Sequence, residues 1–218
     1  VCYEYGKRDY KNAGYWYLKA AKNGITSAQE KVGNLYLNGT AHIKRDTVTA
    51  ANWFQKAAAS GQADAQYTLG LMYSQGVGFD QDKQKSIEWL TKSAKQGNTK
   101  AQVLLAYDYH TGTNVIQDDR VAAKWYRKAA IAGVSEAQYM IGYMYENALG
   151  VPEDNQQAME WFLKAANNGN SNAQLYLGVM YHEGKLLKRN DQLSYVWLNL
   201  AALSNDKKNY CCKLNLNI

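Results

Sequence analysis

The stretch Ala65-Gln66-Tyr67-Thr68-Leu69-Gly70-Leu71-Met72-Tyr73, with Asp82 and then Trp89-Leu90-Thr91-Lys92-Ser93-Ala94-Lys95-Gln96-Gly97 behind it, decides the fold. In the first part, Ala65, Leu69, Gly70 and Tyr73 fall at i, i+4, i+5 and i+8, which is one face of a helix. In the second, Ser86, Trp89, Leu90, Ser93 and Ala94 again form a helical stripe. Asp82 can accept from the free backbone N–H groups of that helix's first turn, and Gly97 can take the left-handed conformation that ends it. The unit reads as a helical hairpin.

The same unit recurs along the chain. The tryptophans are Trp16, Trp53, Trp89, Trp125, Trp161 and Trp197, spaced by 37, 36, 36, 36 and 36 residues. Eight residues after the first five stand Gly24, Gly61, Gly97, Gly133 and Gly169, with Asn205 in the sixth slot. Ala-Gln pairs follow at Ala28-Gln29, Ala65-Gln66, Ala101-Gln102, Ala137-Gln138 and Ala173-Gln174. Seven residues before each tryptophan stands Asp9, Asp46, Asp82, Asp118, Asp154 or Asn190. A fixed period in this range marks a solenoid or array. It predicts helix pairs near 27–38 and 46–60, 63–75 and 82–96, 100–111 and 118–132, 136–147 and 154–168, and 172–183 and 190–204. Inside the first helices Gly33, Gly70, Gly142 and Gly178, with Ala106 as the exception, sit where glycine costs about 1 kcal/mol of helix propensity. Slots restricted to Gly or Ala imply close helix–helix approach.

Composition agrees with an ordinary globular chain: 218 residues, 46% apolar, 20% charged and one proline, Pro152. The longest apolar run is about five residues, Val103 to Tyr107, far short of the ~20 a membrane span needs. The formal charge is +6, with 20 Lys to five Arg. Lys19, Lys56, Lys92, Lys128 and Lys164 each lie three residues after a tryptophan and read as a solvated rib along the outer helices. Without clustered arginine this argues against a nucleic-acid partner.

The pattern Ala-Gln-x-x-Leu-Gly-x-Met-Tyr, a glycine-rich linker, Asp, and Trp-Phe-x-Lys-Ala-Ala-x-x-Gly resembles the Sel-1-like repeat, a relative of the tetratricopeptide repeat. Leu149-Gly150-Val151-Pro152-Glu153-Asp154 and Trp161-Phe162-Leu163-Lys164-Ala165-Ala166 carry the resemblance most closely. It runs from about Asp9 to Asn205. His42-Ile43-Lys44-Arg45 replaces one glycine-rich linker, Ala148 replaces a glycine, and Lys185 to Arg189 forms a basic linker. The resemblance implies an all-α, right-handed α/α superhelical solenoid of five to six helix-turn-helix repeats. Their bounds fall near 1–24, 25–61, 62–97, 98–133, 134–169 and 170–205, with a short tail at 206–218. It further implies a non-catalytic scaffold that binds a protein or peptide on its concave face, in a bacterial envelope, secretion or host-interaction setting, exported or periplasmic rather than cytoplasmic.

The residues expected to line that face are Glu30, Asn34 and Leu37; Tyr67, Leu71 and Ser74; Val103, Tyr107 and His110; Tyr139, Tyr143 and Glu146; and Leu175, Val179 and His182. The central members Tyr67, Leu71, Val103, Tyr107, His110, Tyr139, Tyr143 and Glu146 form the candidate partner site. Tyrosine offers apolar area and a polar handle at low entropic cost. Two readings stay open: these rings are interface anchors, or they pack between adjacent repeats.

The residues point to no catalytic centre, metal or cofactor. His110 and His182 lie two repeats apart and, with His42, cannot share a metal. Gly76-Val77-Gly78 recurs with the repeat and follows a helix, so it reads as a turn and not a nucleotide loop. An alternative is a peptidoglycan- or β-lactam-acting enzyme akin to the cysteine-rich branch of the family. It requires a nucleophile beside a base, and no repeat here contains a cysteine. Cys2 lies near one end and the vicinal Cys211-Cys212 near the other, so a bridge between them would have to cross the solenoid, and Cys211 and Cys212 are expected to be two free thiols. The chain begins at Val1, inside what reads as a hairpin of Tyr3 and Tyr5 with a turn at Gly6 to Asp9. An end without a polar cap is expected to leave apolar surface open.

Overall fold

The second helix of each hairpin begins where a side chain caps its backbone. Asp46, Asp82, Asp118 and Asp154 accept from the amide N–H three residues on, at 3.0, 2.9, 3.1 and 2.9 Å. Asn190 does the same for Leu193 at 3.0 Å. At the far ends, Gly61, Gly97, Gly133 and Gly169 take φ from +81° to +92°, which ends the helix without a Cβ clash.

The computed structural model describes residues 10–40, 42–184 and 188–204. Among them the secondary structure is wholly helical: α1 (Tyr10–Lys22), α2 (Thr26–Asn38), α3 (Thr47–Ala59), α4 (Ala63–Gln75), α5 (Lys83–Lys95), α6 (Thr99–Thr111), α7 (Asp119–Ile131), α8 (Ser135–Glu146), α9 (Asn155–Asn167), α10 (Ser171–Glu183) and α11 (Asp191–Ser204). The fold is an all-α solenoid of repeated helical hairpins. No described helix is long and apolar enough to cross a membrane. The expected hairpin of Tyr3 and Tyr5, the cap at Asp9, the three cysteines and the tail at 206–218 lie outside the described residues.

Packing divides the chain into two units, Val1–Gln117 and Asp118–Ile218. In the first, each of α1 to α5 packs on the next. Phe54, Leu69, Met72 and a run of buried alanines form its centre, flanked by Val77, Phe79 and Trp89. In the second, α7 to α11 pack in the same succession. Ile141, Met144, Phe162 and Leu177 are its largest fully buried side chains.

The glycine slots are close helix contacts. A Cβ on Gly70 would meet Leu90 Cγ at 2.7 Å, and one on Gly142 would meet the Phe162 ring at 3.0 Å and the Ala158 carbonyl oxygen at 3.1 Å. The turn glycine Gly78 lies against α3: a Cβ there would come within 2.2 Å of the Thr47 carbonyl oxygen. The Gly76-Val77-Gly78 segment is therefore a packing turn.

Glutamine joins one repeat to the next. Gln66 Nε2 donates to the Ala58 carbonyl at 3.1 Å, while its Oε1 accepts from Gln96 at 2.7 Å. Gln138 repeats this with the Ala130 carbonyl at 3.0 Å and with Asn168 at 2.9 Å. A buried amide that spans three elements satisfies groups that would otherwise be stranded.

The lysine rib is more structured than a solvated row. Lys19, Lys56, Lys92, Lys128 and Lys164 place Nζ over the tryptophan three residues before, 3.9–5.2 Å from the ring centroid. Each ammonium covers an indole face on its own helix. On α11, Leu193, Val196, Leu200 and Leu203 share one exposed face.

Candidate functional site

The first helix of each hairpin buries one face against its second helix and turns another away. On α4 the buried set is Ala65, Gln66, Leu69, Gly70, Met72 and Tyr73. Tyr67 and Leu71 lie between these positions and stay half-buried. On α6, Val103 and His110 are half-buried and Tyr107 is 51% exposed. On α8, Tyr139 and Glu146 are half-buried and Tyr143 is 37% exposed. None of the eight candidate residues belongs to the core.

The second unit brings three of them together and adds a fourth. Tyr139 leans on Phe162 with ring centroids 5.6 Å apart, and Tyr176 of α10 packs on the same ring at 4.4 Å. The Tyr176 hydroxyl donates to Glu146 Oε1. Burial, followed by the nearby Tyr143 and Glu146, pushes the Tyr139 hydroxyl above its ordinary pKa. The Tyr176 hydroxyl is raised for the same leading reason, and then by its bond to Glu146. Tyr176 escaped the sequence reading because its slot holds Lys31, Thr68, Leu104 and Met140 in other repeats. No periodic signal marks it.

In the first unit the tyrosines are set differently. Burial raises the Tyr67 hydroxyl. Nearby on α2, the Glu30 carboxyl is raised first by burial and then by the charge of Asp64, whose Oδ1 accepts from Asn98 at 2.7 Å. A hollow of ≈ 340 Å³ lies between α1 and α2, lined by Tyr17, Lys31, Asn34 and Leu35 among others. A broader open depression of ≈ 860 Å³ follows the substituted linker, from His42 to Thr47, beside Tyr36. Neither contains the tyrosines of the candidate site. Among the described residues, no group of three or more His, Cys, Asp or Glu side chains is placed to hold a metal ion.

Repeated helical hairpins packed in succession define an α-solenoid repeat protein. The chain belongs to the Sel1 repeat family, whose model matches residues 1–25, 26–62, 63–98, 99–134, 135–170 and 171–206. Such repeats are commonly protein-interaction scaffolds. Among solved structures, the chain is 33% identical to a protective antigen of uropathogenic Escherichia coli that displays this repeat fold, with a TM-score of 0.88. That match covers 94% of this chain and 44% of the antigen, so the chain spans less than half of that relative's length. A Sel1 repeat protein from Oxalobacter formigenes is also 33% identical, with a TM-score of 0.71 over 87% of this chain and 75% of the other. An immunity protein of Pseudomonas aeruginosa, 20% identical with a TM-score of 0.51 over 89% of this chain and 74% of its own, shares the fold. Among curated proteins none matches.

Proposed function

We propose that this chain is a non-catalytic scaffold that binds a protein or peptide segment through the tyrosine-bearing face of its first helices. The observation that carries the reading is the exposure of Tyr107 and Tyr143, at 51% and 37%. A ring needed for repeat packing would be covered by its neighbours, as Tyr73 and Tyr145 are at 7% each. Large aromatic surface on a rigid helix is the usual source of binding energy at protein interfaces. Stacked hairpins hold these rings in place before binding, so little ordering entropy is lost on the scaffold side. The protective antigen among its relatives supports an exported, host-facing bacterial setting.

The test is selection of peptides from a displayed random library on the full chain, followed by binding to single variants. Tyr107→Ala and Tyr143→Ala are expected to weaken the selected peptides more than tenfold, with melting temperatures nearly unchanged. Tyr139→Ala is a poorer probe, because that ring also packs on Phe162. Variants that melt early yet bind normally when folded would show that the exposed rings serve the repeats and not a partner.

A further inference from the structure

The chain carries +6 overall, yet its charges are not spread evenly among the helices. On α8 the acidic side chains are Glu136 and Glu146, and on α10 Glu183; neither helix holds a lysine or arginine. The basic residues of this unit's paired helices stand on α7 and α9, as Arg120, Lys124, Arg127, Lys128 and Lys164. Within the second unit, the helices that carry the candidate face hold acidic side chains and no lysine or arginine, and Glu146 is the acid that lies on that face.

Glu146 is the focus of that face. It ends α8, where the helix carbonyls add partial negative charge. The Tyr176 hydroxyl holds Oε1, while Oε2 takes no hydrogen bond or cation among the described residues. Tyr139 and Tyr176 are braced on Phe162, and Tyr143 stands beside them with its ring partly open to solvent. Two oriented aromatic rings, a third that is accessible and a carboxylate with a free oxygen are the complement of a cation on an apolar stem.

Repeat packing does not require this arrangement. The slot of Glu146 holds Ser74, His110 and His182 in other hairpins, and the slot of Tyr176 holds Thr68, Leu104 and Met140. Those hairpins form without a tyrosine–glutamate pair.

We propose that Glu146, with Tyr139, Tyr143 and Tyr176, is a receptor for one lysine or arginine side chain of the bound segment. The inference rests on the proposed binding face and names the chemistry that face selects. The charged head pairs with Glu146 Oε2, and the methylene stem lies along Tyr143. The partner segment is therefore basic at this point, although the net charge of the chain alone favours an acidic one.

The experiment runs the displayed heptapeptide selection on the full chain and, in parallel, on Glu146→Gln, which keeps an acceptor for the Tyr176 hydroxyl. Peptides selected on the unaltered chain are expected to share a lysine or arginine at one position. Replacing that residue with norleucine or citrulline should raise Kd at least tenfold on the unaltered chain and less than threefold on Glu146→Gln. Selected peptides without a shared basic residue, or an equal loss on both chains, overturn the proposal. If such peptides still depend on Tyr143, the binding face stands and only its cation preference falls. A library that yields no peptide dependent on Tyr107 or Tyr143 overturns both.

Discussion

Asp108 occupies a slot that Met72, Met144 and Met180 fill in other hairpins, and it is 1% exposed. Its Oδ1 accepts from Asn114 at 2.8 Å, but its Oδ2 has no hydrogen-bond partner, and burial pushes its carboxyl above the ordinary range. A raised folded-state pKa means that the folded chain prefers the protonated acid. The associated stability is present below the unfolded pKa and is lost as pH rises through the folded one. Asp108→Met is therefore expected to stabilise the chain at pH 7 by about 1–3 kcal/mol, the range for relieving a poorly satisfied buried polar group. Urea unfolding at several pH values checks this: the advantage must shrink as pH falls toward ~4, and an advantage that grows there contradicts it. A second residue-scale cost sits at Ala148, whose φ is +54° where Gly76, Gly112 and Gly184 hold +69°, +71° and +68°. Left-handed backbone costs a residue with a Cβ about 1–2 kcal/mol. Ala148→Gly should recover about 1 kcal/mol of unfolding free energy; an unchanged denaturation midpoint would mean that the turn carries no such strain.

At the scale of the element, Gly142 marks a close contact between α8 and α9. A leucine there must displace the Phe162 ring and the Ala158 carbonyl, so Gly142→Leu is expected to cost a few kcal/mol through overpacking. Lys124→Leu, on the exposed side of α7, serves as the control and should change little. Lys128 is less suitable, because its ammonium covers Trp125 at 4.5 Å. Coincident thermal melts of the two variants would remove the close-contact assignment. The helix limits were legible in the sequence to within one residue at every expected end, because an Asp or Asn cap and a terminal glycine recur at fixed distances from each tryptophan. The role of the paired glutamine was not. Its partners are a carbonyl eight residues back and an amide thirty residues on, a relation that exists only once the repeats are stacked. Tyr176 was illegible for a related reason. It gains meaning from Glu146, which lies thirty residues earlier on a different helix.

For the whole molecule, the governing fact is that within each unit a helix packs mainly on its sequence neighbours, so stability is a sum of local terms and nearest-neighbour interfaces. Damage should then stay near its origin. In native-state hydrogen exchange, Gly142→Leu is expected to strip protection from amides of α8 to α10 while those of α2 to α4 keep theirs. Uniform loss along the chain would show one cooperative block instead. The periodic features that made the fold readable belong to this repeated packing, whereas the candidate binding residues depart from the period. Glu146 and Tyr176 are exceptions in their slots, so the proposed receptor lies in the irregularities of the repeat.

The tryptophan–lysine stacks give this chain an unusual optical property. Each of five hairpins holds an indole beneath an ammonium from the same helical turn, while the sixth tryptophan, Trp197, is followed three residues later by Leu200. When a hairpin melts, its stack separates, and the emission of that indole changes. Retaining one tryptophan at a time would turn the chain into a row of independently addressed fluorophores spaced along the solenoid. The order in which hairpins open, and the hairpin on which a ligand closes, could then be followed by colour and intensity alone.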